Sequence, residues 1–203
     1  MNNKHALVCG SSKGIGASTA IELSKLGATI TLLARDKDSL SNILDSLDTS
    51  KKQNHNFIIA DFDDPLKLKD TIDQHVANNP TIHILINNSG GPKPGAIVDA
   101  NVEDFILAFN RHLICNHILV QAVVPKMKEA RFGRIINITS TSVKQPIKGL
   151  GISNTIRGAV ANWAKTLSFE LGEFGITVNN ILPGYTDTPV TYTHLTLPTN
   201  REV

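Results

Sequence analysis

The stretch Ala6-Leu7-Val8-Cys9-Gly10-Ser11-Ser12-Lys13-Gly14-Ile15-Gly16 decides the fold. An apolar run of strand length leads into three glycines spaced Gly-x-x-x-Gly-x-Gly, and a segment of helical spacing follows. Gly10 lets the chain leave the strand sharply, Gly14 lets the backbone approach a ligand, and Gly16 lets the helix pack closely on the sheet. The helix start offers unpaired N–H groups and a partial positive charge. The stretch predicts a phosphate-binding turn of the dinucleotide-binding, Rossmann type, and an ordinary tight turn is the alternative.

Short apolar runs alternate with longer segments of helical spacing along the rest of the chain. The runs predict strands at residues 6–9, 29–33, 57–60, 82–86, 135–138 and 177–182, and the segments predict helices at 14–26, 38–47, 65–78, 102–128 and 153–171. The runs are nearly continuous, as expected for strands that are covered on both faces of a parallel sheet. We therefore predict one α/β domain over residues 1–190, a three-layer, doubly wound parallel sheet of Rossmann type.

The composition of the chain argues against nucleic acid and membrane as binding partners. A net charge of +2 over 203 residues provides no basic field for nucleic acid. Two cysteines, with no signal peptide and no apolar stretch of membrane-spanning length, favour a cytoplasmic protein without a membrane partner.

The sequence offers no convincing metal site. No Cys/His cluster has zinc spacing, and the side chains of His112 and His117, five residues apart on a predicted helix, point in different directions. Asp61, Asp63 and Asp64 are typical of a loop after a strand, so we expect no metal.

Asn87-Asn88-Ser89-Gly90 closes the fourth predicted strand, and the segment Gly133-Arg134-Ile135-Ile136-Asn137-Ile138-Thr139-Ser140 includes the fifth. Together with the glycine turn, with Asp61 and with Pro183-Gly184, these segments resemble the short-chain dehydrogenase/reductase family. The resemblance runs from residue 6 to about Thr188 and is greatest to the 3-oxoacyl-acyl-carrier-protein-reductase-like group. It implies an oxidoreductase that uses a nicotinamide dinucleotide.

The resemblance also implies the cofactor contacts. Asp61 would hold the adenine amino group, the Asn87 segment would line the ribose side and brace the central strand, and Pro183, Gly184 and Thr188 would flank the nicotinamide. The full set of implied cofactor residues is Gly10, Ser12, Lys13, Gly14, Ile15, Gly16, Arg35, Asp61, Phe62, Asn88, Ser89, Gly90, Arg157, Pro183, Gly184 and Thr188.

Charge at the end of the second strand indicates which cofactor is preferred. A site selective for NAD(H) carries a carboxylate there, whereas this chain has Ala34 followed by Arg35. Lys13, inside the glycine turn, could face the same cofactor phosphate as Arg35. Since a 2′-phosphate carries about two negative charges and a guanidinium binds it with two hydrogen bonds, NADP(H) is favoured over NAD(H). The alternative is that both are solvated surface cations.

The catalytic positions depart from the family pattern. Family members carry Asn, Ser, Tyr and Lys, with the Tyr thirteen residues after the Ser and the Lys four further on. Here Ser140 matches the serine, whereas Ser153 stands at the tyrosine position, Arg157 at the lysine position and His112 at the asparagine position. Arg157 stays protonated and could bind ribose hydroxyls or a developing alkoxide. His112 could relay protons, but its apolar helical setting favours a structural histidine.

Two main hypotheses follow. The first is an NADP(H)-dependent oxidoreductase that reduces a 3-oxoacyl-like or other small carbonyl compound, or oxidises the alcohol, with Ser140 orienting the substrate. The second is an NADP(H)-binding pseudoenzyme or sensor without redox turnover, because the tyrosine and lysine are missing. A homo-oligomer is expected from the resemblance.

The last residues do not resemble the family. Residues 192–199 look like translated adapter sequence, so we expect 191–203 to be a non-native tail and the fold to be truncated before a seventh strand.

Overall fold

The computed structural model of the chain describes residues 1–184 and Thr186. Six strands are present in this part: β1 His5–Cys9, β2 Thr29–Ala34, β3 Asn56–Ile59, β4 Ile84–Asn87, β5 Gly133–Ile138 and β6 Ile176–Ile181. The α-helices are α1 Gly14–Lys25, α2 Lys37–Asp45, α3 Pro65–Asn78, α4 Val102–Phe109, α5 Cys115–Glu129 and α6 Gly151–Leu171. Each strand and helix lies within a few residues of its predicted position.

The strands form one parallel sheet in the order β3-β2-β1-β4-β5-β6. The order reverses between β1 and β4, and in open parallel sheets ligands bind outside the carboxyl ends of the strands at such a switch point. The glycine turn after β1 and the segment Asn87-Asn88-Ser89-Gly90 after β4 meet at this point. The predicted doubly wound α/β fold is confirmed over the described residues.

Helices cover both faces of the sheet. Leu7, Leu85 and Ile135 point toward a core shared with α3, α5 and α6. Alternate residues of the same strands, such as Val8 and Ile86, point toward a second core shared with α1 and α2. Because both faces of the sheet are buried, each strand appears in the sequence as a nearly continuous run of apolar residues. Across the described residues, no helix is both long and apolar enough to cross a membrane.

The predicted helix 102–128 is interrupted. One π-helical turn, Asn110–Ile114, separates α4 from α5. Such a turn inserts an extra residue and re-aims the side chains around it, and π-turns are frequent at functional sites. His112 lies inside the turn.

Thr188 and the predicted tail 191–203 lie outside the described residues, so the domain division at residue 190 stays a prediction.

Histidines gather at the opposite, amino-terminal edge of the sheet. His5 is buried on β1, and its Nε2 lies 2.7 Å from Oγ1 of Thr31. The Thr31 hydroxyl donates to Oδ1 of Asn56, so its lone pairs are left to accept the His5 Nε2–H. The backbone N–H of His5 donates to Nδ1 of His83. Burial, together with nearby His75, His83 and His55, lowers the pKa of His5 to about 4.

This pKa predicts a loss of stability in acid. In the unfolded chain His5 takes up a proton near pH 6.5, whereas the folded state disfavours the charged form. The contribution of neutral His5 to the free energy of unfolding is therefore complete above about pH 6.5. It is lost as the pH falls toward about 4, with a magnitude of about 3 kcal/mol. Urea unfolding across this range should show a steep decline for the wild type and a shallower one for His5→Gln. His117→Gln, which removes an exposed histidine, should decline as the wild type does; equal slopes for all three proteins would contradict the assignment.

Candidate cofactor and active site

The glycine turn is closed by contacts that leave no room for side chains. Gly10 has φ +57° and Gly14 has φ +58°, in the left-handed region that favours glycine. A Cβ on Gly16 would lie 2.2 Å from the carbonyl oxygen of Gly10. The Asn88 side-chain amide donates to the carbonyls of Cys9 and Gly10, each at 3.3 Å. The segment after β4 therefore braces the turn after β1, and all three glycines are needed for their backbone geometry.

Ser11 fixes the turn to the neighbouring strand. Its buried hydroxyl accepts a hydrogen bond of 2.9 Å from the backbone N–H of Leu33 and lies 3.4 Å from the Leu33 carbonyl, to which it donates. The sequence reasoning missed Ser11 because a serine in a glycine-rich turn carries no signal that distinguishes a buried anchor from an exposed residue.

The start of α1 is suited to phosphate. Lys13 is the N-cap of α1 and makes no side-chain cap hydrogen bond, whereas Asp36 and Asp64 cap α2 and α3 through their carboxylates. No acidic residue lies in the first turn of α1. Its first N–H groups are thus left for an anion, at the positive end of the helix dipole. The free N–H groups, with no carboxylate beside them, fit a dinucleotide pyrophosphate. Ser12 and Ile15, also predicted contacts, are partly exposed in the same turn.

Four charged groups meet at the ends of β2 and β3. Nη1 of Arg35 lies 3.7 Å from Asp61 Oδ2 and 3.8 Å from Asp63 Oδ2, so Arg35 is held loosely. Arg111 binds both carboxylate oxygens of Asp63 through Nε and Nη2. The Arg111 hydrogen bond lowers the pKa of Asp63 despite some desolvation. Predicted cofactor residues Arg35 and Asp61 are therefore neighbours, and Arg111 was not anticipated.

The aspartates after β3 have separate roles. Asp64 caps α3 by accepting from the Lys67 N–H, Asp61 accepts from the Asp63 N–H, and Asp63 is paired with Arg111. Within the described part of the chain, no group of three His, Cys, Asp or Glu side chains could hold a metal ion. The Phe62 side chain lies in the core, so a cofactor contact from this residue is left to its backbone.

A ladder of asparagine side chains crosses the carboxyl ends of β4, β5 and β6. Asn87 donates to Oδ1 of Asn137 at 2.8 Å, and Asn137 donates to Oδ1 of Asn180 at 3.1 Å. The three residues are paired in register across the strands. The predicted bracing role of Asn87 thus extends over three strands. Asn137 could have been flagged, because a polar residue inside a continuous apolar strand requires a buried partner.

His112 contacts the segment after β4. It is 2% exposed, its Nδ1 lies 2.8 Å from Oγ of Ser89, and its Nε2 has no partner among the described residues. Burial, aided by the charges of Arg157 and Arg111, lowers the pKa of His112 well below its usual value. The imidazole is therefore neutral at neutral pH and is no reservoir of protons there.

Arg157 extends from α6 to the end of β5, where its Nη1 donates to the Ile138 carbonyl at 2.7 Å. Burial lowers its pKa to about 10, so the guanidinium is still charged at neutral pH. No carboxylate of the described residues lies within salt-bridge distance of it. A partly buried cation with unused donors and no counter-ion is suited to hold a ligand oxygen or negative charge.

The two serines are placed differently. Ser140 lies two residues after β5, and its hydroxyl accepts from the Ser142 N–H at 3.1 Å, capping a short 3₁₀ turn. Ser153 lies in the first turn of α6, one helical turn before Arg157. Ser140 and the Arg157 guanidinium thus both lie near the end of β5, and Ser153 is on the same helix as Arg157.

Backbone hydrogen bonds join the loops above this region. The Gly95 N–H donates to the Gly149 carbonyl at 2.6 Å, and the Gly151 N–H donates to the Gly95 carbonyl at 3.0 Å. The Pro183 carbonyl accepts from the Thr141 N–H at 3.1 Å, which places predicted residues Pro183 and Gly184 beside the Ser140 loop. The loops after β4, β5 and β6 are therefore held together at one edge of the sheet.

A parallel sheet with a glycine turn and an uncapped helix start at its switch point defines a dinucleotide-binding domain of the Rossmann type. A family profile described as "short chain dehydrogenase" matches residues 4–196. The chain belongs to this family of NAD(P)-dependent oxidoreductases, as the sequence resemblance predicted.

Individual relatives agree with this assignment. An uncharacterized oxidoreductase of Staphylococcus epidermidis is 30% identical over 191 residues, which cover 94% of this chain and 81% of the relative. Among solved structures, L-sorbose reductase from Gluconobacter frateurii, complexed with NADPH and L-sorbose, is similar with a TM-score of 0.87 at 29% identity, covering 93% of this chain and 72% of that one. A single-residue variant of actinorhodin polyketide ketoreductase with NADPH is similar with a TM-score of 0.86 at 27% identity, covering 95% of this chain and 76% of that one.

The contact between Gly16 and Gly10 predicts a specific defect. Gly16→Ala should abolish measurable binding of a nicotinamide dinucleotide, because the turn has to move when its Cβ would otherwise lie 2.2 Å from the Gly10 carbonyl oxygen. We expect a destabilisation of about 1–3 kcal/mol from the overpacking. Gly172→Ala is the control, since a Cβ there has nothing within 4 Å. NADPH titration and thermal melting of both variants check the prediction, and wild-type affinity in Gly16→Ala would contradict it.

Proposed function

We propose that the protein is an NADP(H)-dependent oxidoreductase that reduces a small carbonyl compound, 3-oxoacyl-like or another ketone, or oxidises the corresponding alcohol. The observation that carries this proposal is the uncapped start of α1 beside the turn braced by Asn88, with the cations Lys13 and Arg35 nearby. In this proposal the pyrophosphate is held by the turn, the 2′-phosphate by Lys13 and Arg35, and the adenine amino group by Asp61. Two similar solved structures that contain NADPH support the choice of cofactor.

The reaction needs negative charge to be stabilised on the substrate oxygen. The cofactor, when bound, supplies or accepts a hydride. Arg157 holds the developing alkoxide electrostatically, since its pKa of about 10 keeps it charged at neutral pH. The Ser140 hydroxyl, at the end of β5, orients the carbonyl. With Ser153 in place of a phenol and His112 neutral, protonation of the alkoxide falls to solvent water.

A second candidate is a pseudoenzyme or sensor that binds NADP(H) without turnover. The observation that favours it is the Arg157 hydrogen bond to the Ile138 carbonyl, which gives the guanidinium a structural partner. Saturable NADPH binding with no NADPH oxidation against a panel of small ketones and 3-oxoacyl thioesters would support this candidate. Failure to bind NADPH would contradict both. Gain of turnover in Ser153→Tyr/Arg157→Lys would show that the fold presents substrate and cofactor correctly.

We also propose that the chain forms a homo-oligomer. Exposed apolar side chains lie on α4 and α6, where Val102 is 67%, Ile106 57% and Phe169 88% exposed. Exposed apolar side chains on these two helices favour burial against a second copy. The cytoplasmic location stays a prediction.

The proposed 2′-phosphate contact predicts a change in cofactor preference. Arg35→Ala should weaken NADPH binding about tenfold, because a charge-assisted hydrogen bond to the phosphate is lost. NADH binding should change little. Arg131→Ala removes a cation at the opposite edge of the sheet and should leave both affinities unchanged. Fluorescence titrations with NADPH and NADH make the comparison, and an equal loss for both cofactors in Arg35→Ala would refute the assigned contact.

The proposed role of Arg157 predicts a loss of turnover that depends on charge. Arg157→Gln should lower kcat/KM for ketone reduction about 100-fold, as when one donor to an oxyanion is removed. Arg157→Lys keeps the charge and should lose less. Steady-state NADPH oxidation measures both, with thermal melting as a check on folding. Undiminished turnover in Arg157→Gln would show that the guanidinium does not stabilise the reaction.

A further inference from the structure

Arg111 forms an ion pair with a residue that is distant in the sequence. It lies in the π-turn, one residue before His112, yet its guanidinium binds both oxygens of Asp63, which is 48 residues earlier in the chain. Arg111 and Asp63 are each about one-third exposed, so the pair is only partly screened by water. The pair connects the loop after β3 to the helix that carries His112.

Asp63 is also a neighbour of Arg35. The Arg35 Nη1 lies 3.8 Å from Asp63 Oδ2, which is beyond hydrogen-bond range, while Arg111 saturates both oxygens of that carboxylate. Arg35 also lies 3.7 Å from Asp61. Arg35 is therefore near two carboxylates and tightly bound to neither, and its side chain stays 66% exposed.

We propose that Arg111 determines cofactor preference by holding Asp63 away from Arg35, so that the Arg35 guanidinium stays available for a ribose 2′-phosphate. This inference rests on the proposed NADP(H) binding. Arg111 is a positioning residue, because it acts through Asp63 and Arg35 and not by contact with the phosphate.

Two physical effects support this role. Without Arg111, the freed carboxylate of Asp63 can close the present 3.8 Å to Arg35 and form a hydrogen-bonded ion pair, and a 2′-phosphate has to compete with that pair. The uncompensated charge of Asp63 also repels a group that carries about two negative charges. A nucleotide that lacks the 2′-phosphate experiences neither effect to the same extent. Loss of Arg111 thus acts on selectivity and not on adenosine binding as a whole.

The experiment uses nucleotide fragments that report on this end of the site without turnover. Binding of 2′,5′-ADP and of 5′-AMP to the full chain is measured by calorimetric titration. Arg111→Gln should weaken 2′,5′-ADP about fivefold and leave 5′-AMP nearly unchanged. Arg111→Gln/Asp63→Asn removes the freed carboxylate and should restore most of the 2′,5′-ADP affinity. Lys69→Gln, which breaks the exposed Lys69–Asp73 pair on α3, is the matched control and should change neither affinity.

Two outcomes would overturn the inference. An equal loss for both fragments in Arg111→Gln means that the pair only supports the fold, and a double variant that fails to recover means that Asp63 does not mediate the effect. If the wild type binds neither fragment, the proposed NADP(H) function fails instead. Thermal melting of each variant separates a change in selectivity from a change in folding.

Discussion

The hydrogen bonds from the Asn88 amide to the carbonyls of Cys9 and Gly10 bring together the two loops on which the rest of the site depends. They join the turn after β1 to the segment after β4, the two strands between which the sheet order reverses. Gly16 must approach the Gly10 carbonyl too closely for any Cβ. The start of α1 is therefore held next to the switch point, where its free N–H groups are suited to bind an anion.

From the loops that the Asn88 hydrogen bonds join, the candidate site extends in two directions along the sheet edge. Toward β2 and β3, Arg35, Asp61, Asp63 and Arg111 form a charged group suited to the adenosine end of a dinucleotide. Toward β5, Arg157 supplies a charge with no carboxylate partner in the described part of the chain. The π-turn carries Arg111 into the first group and His112 beside Ser89, so one irregular turn contacts both the charged group and the segment after β4.

The sequence alone predicts those features of the structure whose signal lies in neighbouring residues. Strand periodicity, the glycine spacing and Arg35 directly after β2 depend on neighbouring residues, and the fold and the position of the glycine turn could be predicted from them, whereas the cofactor contacts stay predictions. The Arg111–Asp63 pair, the asparagine ladder and the Ser89–His112 contact join residues distant in sequence, which only the assembled sheet brings together. The π-turn also lacked a local signal, because the periodicity of residues 102–128 favoured an uninterrupted helix. The catalytic roles of Ser140, Ser153, Arg157 and His112 remain predictions.

The most direct test of the account is an equilibrium titration of the wild-type chain with NADPH and, in parallel, with NADH, followed by nicotinamide fluorescence. We predict saturable binding of one NADPH per chain with a Kd on the order of micromolar, and about tenfold weaker binding of NADH, because NADH lacks the 2′-phosphate that we propose Arg35 and Lys13 hold. No saturable binding of either nucleotide at about 1 mM would contradict the claim that the braced turn is a dinucleotide site.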